Sequence, residues 1–288
     1  MDWLEHLLTT NKIPLGVWVR GFVDWFTTTF DWFFDAVSTG LDSLVEGLVN
    51  LLEAVPAIAL IAIIAAAAYG LHRSWRLVAF ILVGLLLILN LGFWQAMLET
   101  LSLVLFATFF SLLIGVPTGI YAARKPVFYS ALSPILDLMQ TLPTFVYLIP
   151  TMILFGLGLV PGLVSTIIFA VPAPIRNTHL GIVSVPRPLI EAGEAFGATR
   201  RQLLWKVELP CAMPQIMLGI NQCIMLSLSM VVIAALVGAG GLGVPVVRAL
   251  NTVNFGLGFE SGLAIVILAI MLDRVLKRPQ ASVGKSKL

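Results

Sequence analysis

Seven long apolar segments limit the folds that this chain of 288 residues can adopt. Each approaches the roughly 20 residues that a helix needs to cross a bilayer. Only 11% of the residues are charged, whereas a soluble domain carries about 25%. The sequence therefore predicts an all-α polytopic membrane protein with about seven transmembrane helices. The predicted segments are residues 54–71, 77–94, 98–122, 131–155, 159–176, 212–237 and 259–276.

The basic residues predict the direction in which the chain crosses, because cytoplasmic loops carry an excess of Lys and Arg. Most of the 17 Lys and Arg residues lie on one side if residues 72–76, 123–130 and 177–211 and the C-terminal tail are cytoplasmic. Arg176 is then placed at a membrane edge, and only Lys12, Arg20 and Arg248 remain outside. Seven crossings put the N-terminus outside and the C-terminus in the cytoplasm. These basic residues are spread among loops, so no nucleic-acid partner is predicted.

An aromatic stripe precedes the first crossing. Seven aromatic residues recur at spacings of three and four, with Asp and Thr residues on the opposite face: Trp18, Phe22, Trp25, Phe26, Phe30, Phe33 and Phe34. This pattern predicts an amphipathic helix that lies in the membrane interface. A cage for a quaternary ammonium ion is the alternative reading of the same rings. The chain thus divides into an outer-face region (residues 1–53), two accessory helices (54–94), a core (95–279) and a cytoplasmic tail (280–288).

A polar segment, residues 188–210, separates the fifth and sixth crossings and is called the elbow below. Pro188 suits the first turn of a helix, and Gly197 suits a left-handed stop. Thr199 can cap a second helix that runs through Leu203, Leu204 and Val207 and ends before Pro210. An apolar stripe on the first helix, formed by Leu189, Ala192 and Phe196, has the size that one helix lays in a partner's groove. The alternative is an ordinary amphipathic helix that rests on the membrane.

The spacing of the elbow residues resembles the coupling motif of ATP-binding-cassette (ABC) importer permeases. Gly193 and Val207 stand where that motif has Ala and Ile. The resemblance implies a type I importer fold for residues 95–279, with a cytoplasmic coupling helix in 188–210 that docks on a separate ATPase and a hinge at Gly197. The residues that match the motif are Glu191, Ala192, Gly193, Gly197, Val207, Leu209 and Pro210.

No phosphate-binding loop of the type Gly-x-x-x-x-Gly-Lys-Ser/Thr occurs in the sequence. We therefore expect this chain to bind no cofactor and to perform no catalysis, and we expect a partner chain to use ATP and Mg²⁺. A glycine cluster at residues 238–243 lacks the Lys that would meet phosphate. Gly238, Gly240 and Gly241 are predicted to lie on the outer side, where they form a gate or permit close helix packing.

Polar residues within the fourth segment mark a possible translocation path, since polar groups at membrane depth are costly and often functional. These residues are Asp137, Gln140, Thr141, Pro143 and Tyr147. Pro143 and Pro150 interrupt the segment, which is tolerated where a water-filled path satisfies the freed backbone groups. Hydrogen bonding between helices is the alternative role of these side chains.

Four runs resemble the glycine betaine/proline/choline branch of the importer family: Leu136–Pro143, Phe145–Pro150, Glu194–Thr199 and Val237–Gly243. The resemblance implies a permease for compatible solutes in the bacterial cytoplasmic (inner) membrane. It also implies a permease homodimer, two ABC ATPase subunits and a separate periplasmic or lipid-anchored substrate-binding protein. A methionine-type permease, an ion-driven secondary carrier and an intramembrane enzyme are the competing interpretations.

Overall fold

The structure, a computed structural model, describes residues 15–276. Predictions about Lys12 and the tail 280–288 fall outside the described residues, as do the side chains of Trp18, Arg20 and Phe22. Thirteen α-helices follow one another in the described part: α1 (Leu15–Glu53), α2 (Ala57–His72), α3 (Trp75–Asn90), α4 (Trp94–Arg124), α5 (Pro126–Thr141), α6 (Phe145–Phe155), α7 (Leu159–Ala170), α8 (Pro172–Val183), α9 (Arg187–Ala195), α10 (Arg200–Leu203), α11 (Leu209–Ala235), α12 (Gly243–Thr252) and α13 (Phe255–Leu276). A π-turn, Leu204–Glu208, joins α10 to α11.

Four helical segments in residues 15–276 are long and apolar enough to cross a membrane: Trp94–Arg124, Leu159–Val183, Arg200–Ala235 and Phe255–Leu276. Two sharply bent helix pairs raise the number to six if each pair is one span. Helix α3 is apolar but only 16 residues long. The prediction of a helical polytopic membrane protein is confirmed. The number of crossings and the sides of the termini stay predictions.

The fourth predicted segment consists of two helices, α5 and α6, that meet at 98°. Leu142, at the break, is extended with φ −64° and ψ 136°. The ring of Pro143 causes this, because it excludes the preceding residue from the helical region. Pro150 lies inside α6 without ending it. Of the two interruptions that the sequence predicted in this segment, the one at Pro143 is confirmed, whereas Pro150 leaves α6 unbroken.

The fifth predicted segment ended too early, since its helical span continues from Leu159 to Val183. The predicted loop 177–211 was wrong in its first part for this reason. Its polar residues are held inside the bundle: Thr178 is buried, and the rings of His179 and Tyr129 stack with centroids 3.5 Å apart. Polarity suggested a loop, but neighbouring helices take up these side chains.

Helix α8 lies at the centre of the core and packs against α4 and α11. Gly115 and Gly119 of α4 allow the close approach of α8. A Cβ atom at Gly115 would lie 2.6 Å from Pro174, and one at Gly119 would lie 2.7 Å from the carbonyl oxygen of Ile175. Two glycines at a spacing of four let helix backbones approach closely in a membrane.

Helix α1 is kinked at Phe30, and its second half packs on the core. Val45 is buried in a cluster with Leu103, Leu163 and Ala234, which belong to α4, α7 and α11. Part of the aromatic stripe also meets protein, since the rings of Phe34 and Phe155 pack edge to face at 5.4 Å. Placement of the remaining rings in the membrane interface stays a prediction.

Candidate functional site

The first part of the elbow is the short helix α9, which ends at Ala195 and is closed by Gly197 two residues later. Gly197 adopts φ +77°, the left-handed region in which glycine is favoured. Its N–H donates to the Glu194 carbonyl (2.8 Å), and the N–H of Ala198 donates to the Gly193 carbonyl (3.0 Å). This pair of bonds is the Schellman arrangement that closes helix ends. The predicted left-handed stop at Gly197 is confirmed.

The second part of the elbow begins at Thr199, as its sequence predicted. Thr199 and Gln202 form a capping box, in which each side chain accepts from the backbone N–H of the other. The prediction that this helix ends before Pro210 is wrong. A π-turn at Leu204–Glu208 leads directly into α11, so that Arg200–Ala235 forms one 36-residue helical span. The Leu209 N–H reaches back to Leu204, and this wider turn accommodates the proline that follows.

The two parts of the elbow pack on each other through Gly193. A Cβ atom at this position would lie 2.6 Å from the Leu203 side chain and 3.9 Å from that of Val207. Leu209 packs next to the buried Ala212 and Ile216. Gly193 therefore sets the distance between the two elbow helices, and Leu209 joins the second one to the core.

An ion pair fastens the elbow to the end of α4. Arg124, the last residue of α4, donates from Nη2 to Glu208 Oε2 and to the Arg200 carbonyl, both at 3.2 Å. The Glu208 side chain is largely shielded, with 15% of its surface exposed. This contact joins both ends of the second elbow helix to a core helix, and it lies outside the motif that the sequence suggested.

The apolar face predicted on the first elbow helix is uncovered. Phe196 is 93% exposed, and Leu189 and Ala192 are also exposed. Glu191 and Glu194 are exposed beside them. Large apolar side chains presented together with charged ones are typical of surfaces that bind a partner. The predicted apolar face is therefore confirmed as exposed, and its docking on a partner stays a prediction.

Five residues were predicted to line a path, and the structure separates them into two environments. Asp137, Gln140, Thr141 and Pro143 are exposed at or near the end of α5. Tyr147 is buried, and its hydroxyl donates to the Met139 carbonyl across the break. That carbonyl needs such a donor, because the residue four positions later is Pro143, which has no N–H. Tyr147 thus fastens the break between α5 and α6, whereas the lining role of the other four stays a prediction.

A polar layer, which we define as Asp137, Arg176, Asn177 and Gln222, joins α5, α8 and α11. Arg176 Nη2 donates to Asp137 Oδ1 at 2.5 Å, and Asn177 Nδ2 donates to Gln222 Oε1 at 3.2 Å. The sequence placed Arg176 at a membrane edge. In the structure it lies inside the helical span Leu159–Val183, about 10 Å from its end at about 1.5 Å per residue.

The glycine cluster forms a tight turn after α11. Gly238 and Gly241 have φ +94° and +98°. A Cβ atom at Gly241 would lie 2.5 Å from Thr100 Oγ1, and one at Gly240 would collide with the Glu99 carboxylate. The Thr100 hydroxyl also accepts from the Leu242 N–H (2.8 Å). These glycines let the turn pack against α4, while a role in gating stays a prediction.

Sequence reasoning missed Arg124, Glu208, Arg176 and Asn177. A charged residue within an apolar segment was the available signal for Arg176, but its partner lies 39 positions away in the chain. Arg124 was assigned to a cytoplasmic loop for its charge alone. In both cases the residue type was visible, and the pairing depended on how the helices pack.

Comparison with known proteins gives a family match over the core. A family model described as "Binding-protein-dependent transport system inner membrane component" matches residues 115–280. The match contains the elbow, the polar layer and the glycine cluster. It leaves α1, α2 and α3 outside.

Curated relatives are similar over almost the whole chain. The glycine betaine transport system permease protein OpuAB of Bacillus subtilis is 52% identical over 92% of this chain and 93% of its own length. The glycine betaine/carnitine transport permease protein GbuB of Listeria monocytogenes is 46% identical over 91% and 94%. The glycine betaine/proline betaine transport system permease protein ProW of Escherichia coli is 48% identical over 91% of this chain and 74% of its own.

A solved structure shares the fold of the core. A chain of the MetNI methionine ABC transporter in an inward-facing conformation superimposes with a TM-score of 0.55 and 27% identity. The match covers 62% of this chain and 94% of that one. The type I importer fold expected for the core is therefore confirmed.

Proposed function

This chain belongs to the family of binding-protein-dependent transport system inner membrane components, and on that premise we propose that it is the membrane-spanning permease of an ATP-driven importer for glycine betaine and similar quaternary ammonium solutes. The observation that carries the proposal is the 52% identity with a glycine betaine permease over 92% of the chain. Members of this family are inner membrane components. The bacterial cytoplasmic membrane is accordingly the proposed location.

The relatives' names support one substrate class. Glycine betaine, proline betaine and carnitine are named for the relatives described above. Each of these solutes is a zwitterion that carries a quaternary ammonium group and a carboxylate. The solved structure of a methionine transporter chain matches over 62% of this chain. The betaine permeases match more than nine-tenths of it, so this class is preferred over methionine and over an ion-driven carrier.

The elbow supports a mechanism in which a partner supplies the energy. Its uncovered face of Leu189, Ala192 and Phe196 would dock in a groove of an ABC ATPase. Movement of that partner would then pass to α11 through the continuous helix and to α4 through Arg124. The solute would be exposed alternately to the two sides of the membrane. Glu191, Gly193 and Gly197 would keep the docking helix in position.

The proposed assembly contains two copies of this permease, two ATPase subunits and one separate substrate-binding protein outside the cytoplasmic membrane. The family description itself names dependence on a binding protein. ATP and Mg²⁺ would be bound by the ATPase subunits. A binding protein with an aromatic box would select the quaternary ammonium group, which would leave the permease a weaker, transient site.

Uptake by the purified complex reconstituted in proteoliposomes tests this function. Labelled glycine betaine, carnitine, choline, proline and methionine are supplied with the binding protein outside and ATP inside. We expect uptake of glycine betaine that requires ATP, the ATPase and the binding protein. Uptake that persists without the ATPase subunit would identify a secondary carrier. Accumulation of methionine in place of glycine betaine would support the methionine-type alternative.

A further inference from the structure

We propose that Asp137 and Arg176 form a binding site for the zwitterionic solute within the membrane, in which Arg176 binds the carboxylate and Asp137 the quaternary ammonium group. This inference rests on the proposed function and adds the site at which the permease itself contacts its cargo. The two side chains already form an ion pair, with Arg176 Nη2 donating to Asp137 Oδ1 at 2.5 Å.

The pair lies inside the spans that carry it. Asp137 is near the break of the bent pair α5 and α6, about 16 Å along it from Pro126, and Arg176 is about 10 Å from the end of its helical span at Val183. Ionised residues at such depth are costly and are usually kept for a function. Pairing of opposite charges reduces that cost, but it does not explain why either charge is present.

The pair is also accessible, which distinguishes it from a buried ion pair that only holds two helices together. The Asp137 side chain is 62% exposed and that of Arg176 is 32% exposed. Charged side chains within membrane segments face a bundle interior or a water-filled cavity rather than lipid. This face of α5 and α8 is therefore expected to line an aqueous path in the assembled importer. A solute in that path would meet one positive and one negative group side by side.

The chemistry of the pair matches that of a betaine. A zwitterion that enters between the two side chains replaces one ion pair with two and leaves the net charge of the site unchanged. The guanidinium also has unused capacity, since Arg176 Nε is buried without a hydrogen-bond partner. An unpaired buried donor is destabilising, and a carboxylate binds a guanidinium best through two parallel hydrogen bonds. A small rotation of Arg176 towards a solute carboxylate would satisfy that donor.

Neighbouring residues hold Arg176 in place. Asn177 donates to the Ala173 carbonyl (2.9 Å) and to Gln222 of α11 (3.2 Å), which fixes this turn of α8 against α11. Leu136, next to Asp137, is buried against Val171 and Ile175. The two charged side chains are thus carried by packed turns of two helices, and their spacing changes when α5 and α8 move apart. Such movement would let the site release its solute.

Equilibrium binding to the permease–ATPase complex in detergent, without binding protein, tests the site. Labelled glycine betaine is the ligand, and choline, which has the ammonium group but no carboxylate, is the competitor. We expect Arg176→Gln to weaken glycine betaine binding about 10-fold or more, because a charge-assisted pair is lost, while choline binding stays within about 2-fold. Asp137→Asn should weaken both ligands. Arg274→Gln, which removes an exposed arginine near the predicted cytoplasmic end of α13, is the control and should change neither.

An unchanged preference for glycine betaine over choline in Arg176→Gln would overturn the proposal, as would a lack of measurable binding to the unaltered complex. If Arg176→Gln fails to fold, Arg176→Lys is used in its place, because lysine keeps the positive charge and the pair with Asp137. It should bind glycine betaine more weakly than arginine does, because an ammonium group cannot form two parallel bonds. Uptake by the unaltered complex is measured separately, so loss of this site and loss of the importer function give different results.

Discussion

At the scale of single residues, Gly197 joins the proposed docking helix to the rest of the chain. Its φ of +77° is open to glycine and tolerated by asparagine, but a β-branched residue there is strained. No neighbouring atom lies within 4 Å of a Cβ atom built at this position. Substitution at Gly197 therefore tests backbone conformation without a steric clash.

Gly197→Val should shift the elbow away from its present conformation. The left-handed backbone would cost about 1–2 kcal/mol, which lowers the population of the docking-competent elbow by about 5- to 30-fold. We expect a comparable fall in solute uptake by the reconstituted complex, with a smaller effect on ATP hydrolysis. Gly197→Asn, the matched control, should retain most of the uptake. Coupled uptake at the normal rate in Gly197→Val would show that the elbow needs no left-handed hinge.

The residues that sequence alone identified share one property, which is that their role is local. Gly197, Pro143 and Thr199 act on the backbone within four residues of themselves, so their spacing in the chain was sufficient. Arg176 and Arg124 act through partners on other helices. A single sequence does not show which residues of distant helices come into contact. A polar residue such as Thr178 misled the loop assignment for the same reason, since its burial against Gly119 of α4 depends on how the helices pack.

At the scale of secondary-structure elements, the bent pair of α5 and α6 depends on a side chain that replaces a missing backbone donor. Pro143 leaves the Met139 carbonyl without its usual partner, and the Tyr147 hydroxyl takes that place. Tyr147 is also buried against Phe169, with ring centroids 6.2 Å apart. Tyr147 therefore contributes a hydrogen bond and an aromatic contact to the bend, and the two can be separated by mutation.

Tyr147→Phe keeps the ring and removes the hydroxyl. We expect the Met139 carbonyl to lose its partner, at a cost of about 1–3 kcal/mol, and the unfolding temperature of the purified permease to fall. Tyr121→Phe is the matched control, because Tyr121 is exposed and packs edge to face on Phe128. It should leave the unfolding temperature unchanged. Equal stability of the two variants would show that the hydroxyl of Tyr147 does not hold the bend.

At the scale of the whole molecule, the direction in which the chain crosses the membrane decides which end of the bundle could meet the proposed ATPase. The elbow and the glycine cluster lie at opposite ends of the helical span Arg200–Ala235, so they lie on opposite sides of the membrane if this span crosses it. The distribution of basic residues and the coupling motif both predict that the elbow is on the cytoplasmic side. A core of common fold that follows the N-terminal helices α1, α2 and α3 fits the family match, which begins at residue 115. The charge distribution predicts on which side of the membrane the elbow lies. The structure shows that the elbow and the glycine cluster are at opposite ends of one helical span.

Cysteine labelling measures this direction. In a Cys211→Ala background, Leu250→Cys should react with a membrane-impermeant maleimide in right-side-out vesicles, because this exposed residue lies beyond the glycine cluster. Arg201→Cys, in the elbow, should react only after permeabilisation. Cys223 is buried and should remain unlabelled. Labelling of position 201 in sealed vesicles would reverse the predicted orientation.

The uninterrupted passage from the second elbow helix through the π-turn into α11 has a mechanical consequence. At about 1.5 Å per residue, the 36 residues of Arg200–Ala235 form a rod about 54 Å long. The Asn177–Gln222 contact lies between its two ends and can serve as a fulcrum. If the rigid helix rotates about this contact, its two ends move in opposite directions. A displacement of the elbow in one direction then moves the glycine turn in the other. Opening at one face and closing at the opposite face would then be the same motion, with no separate signal between them.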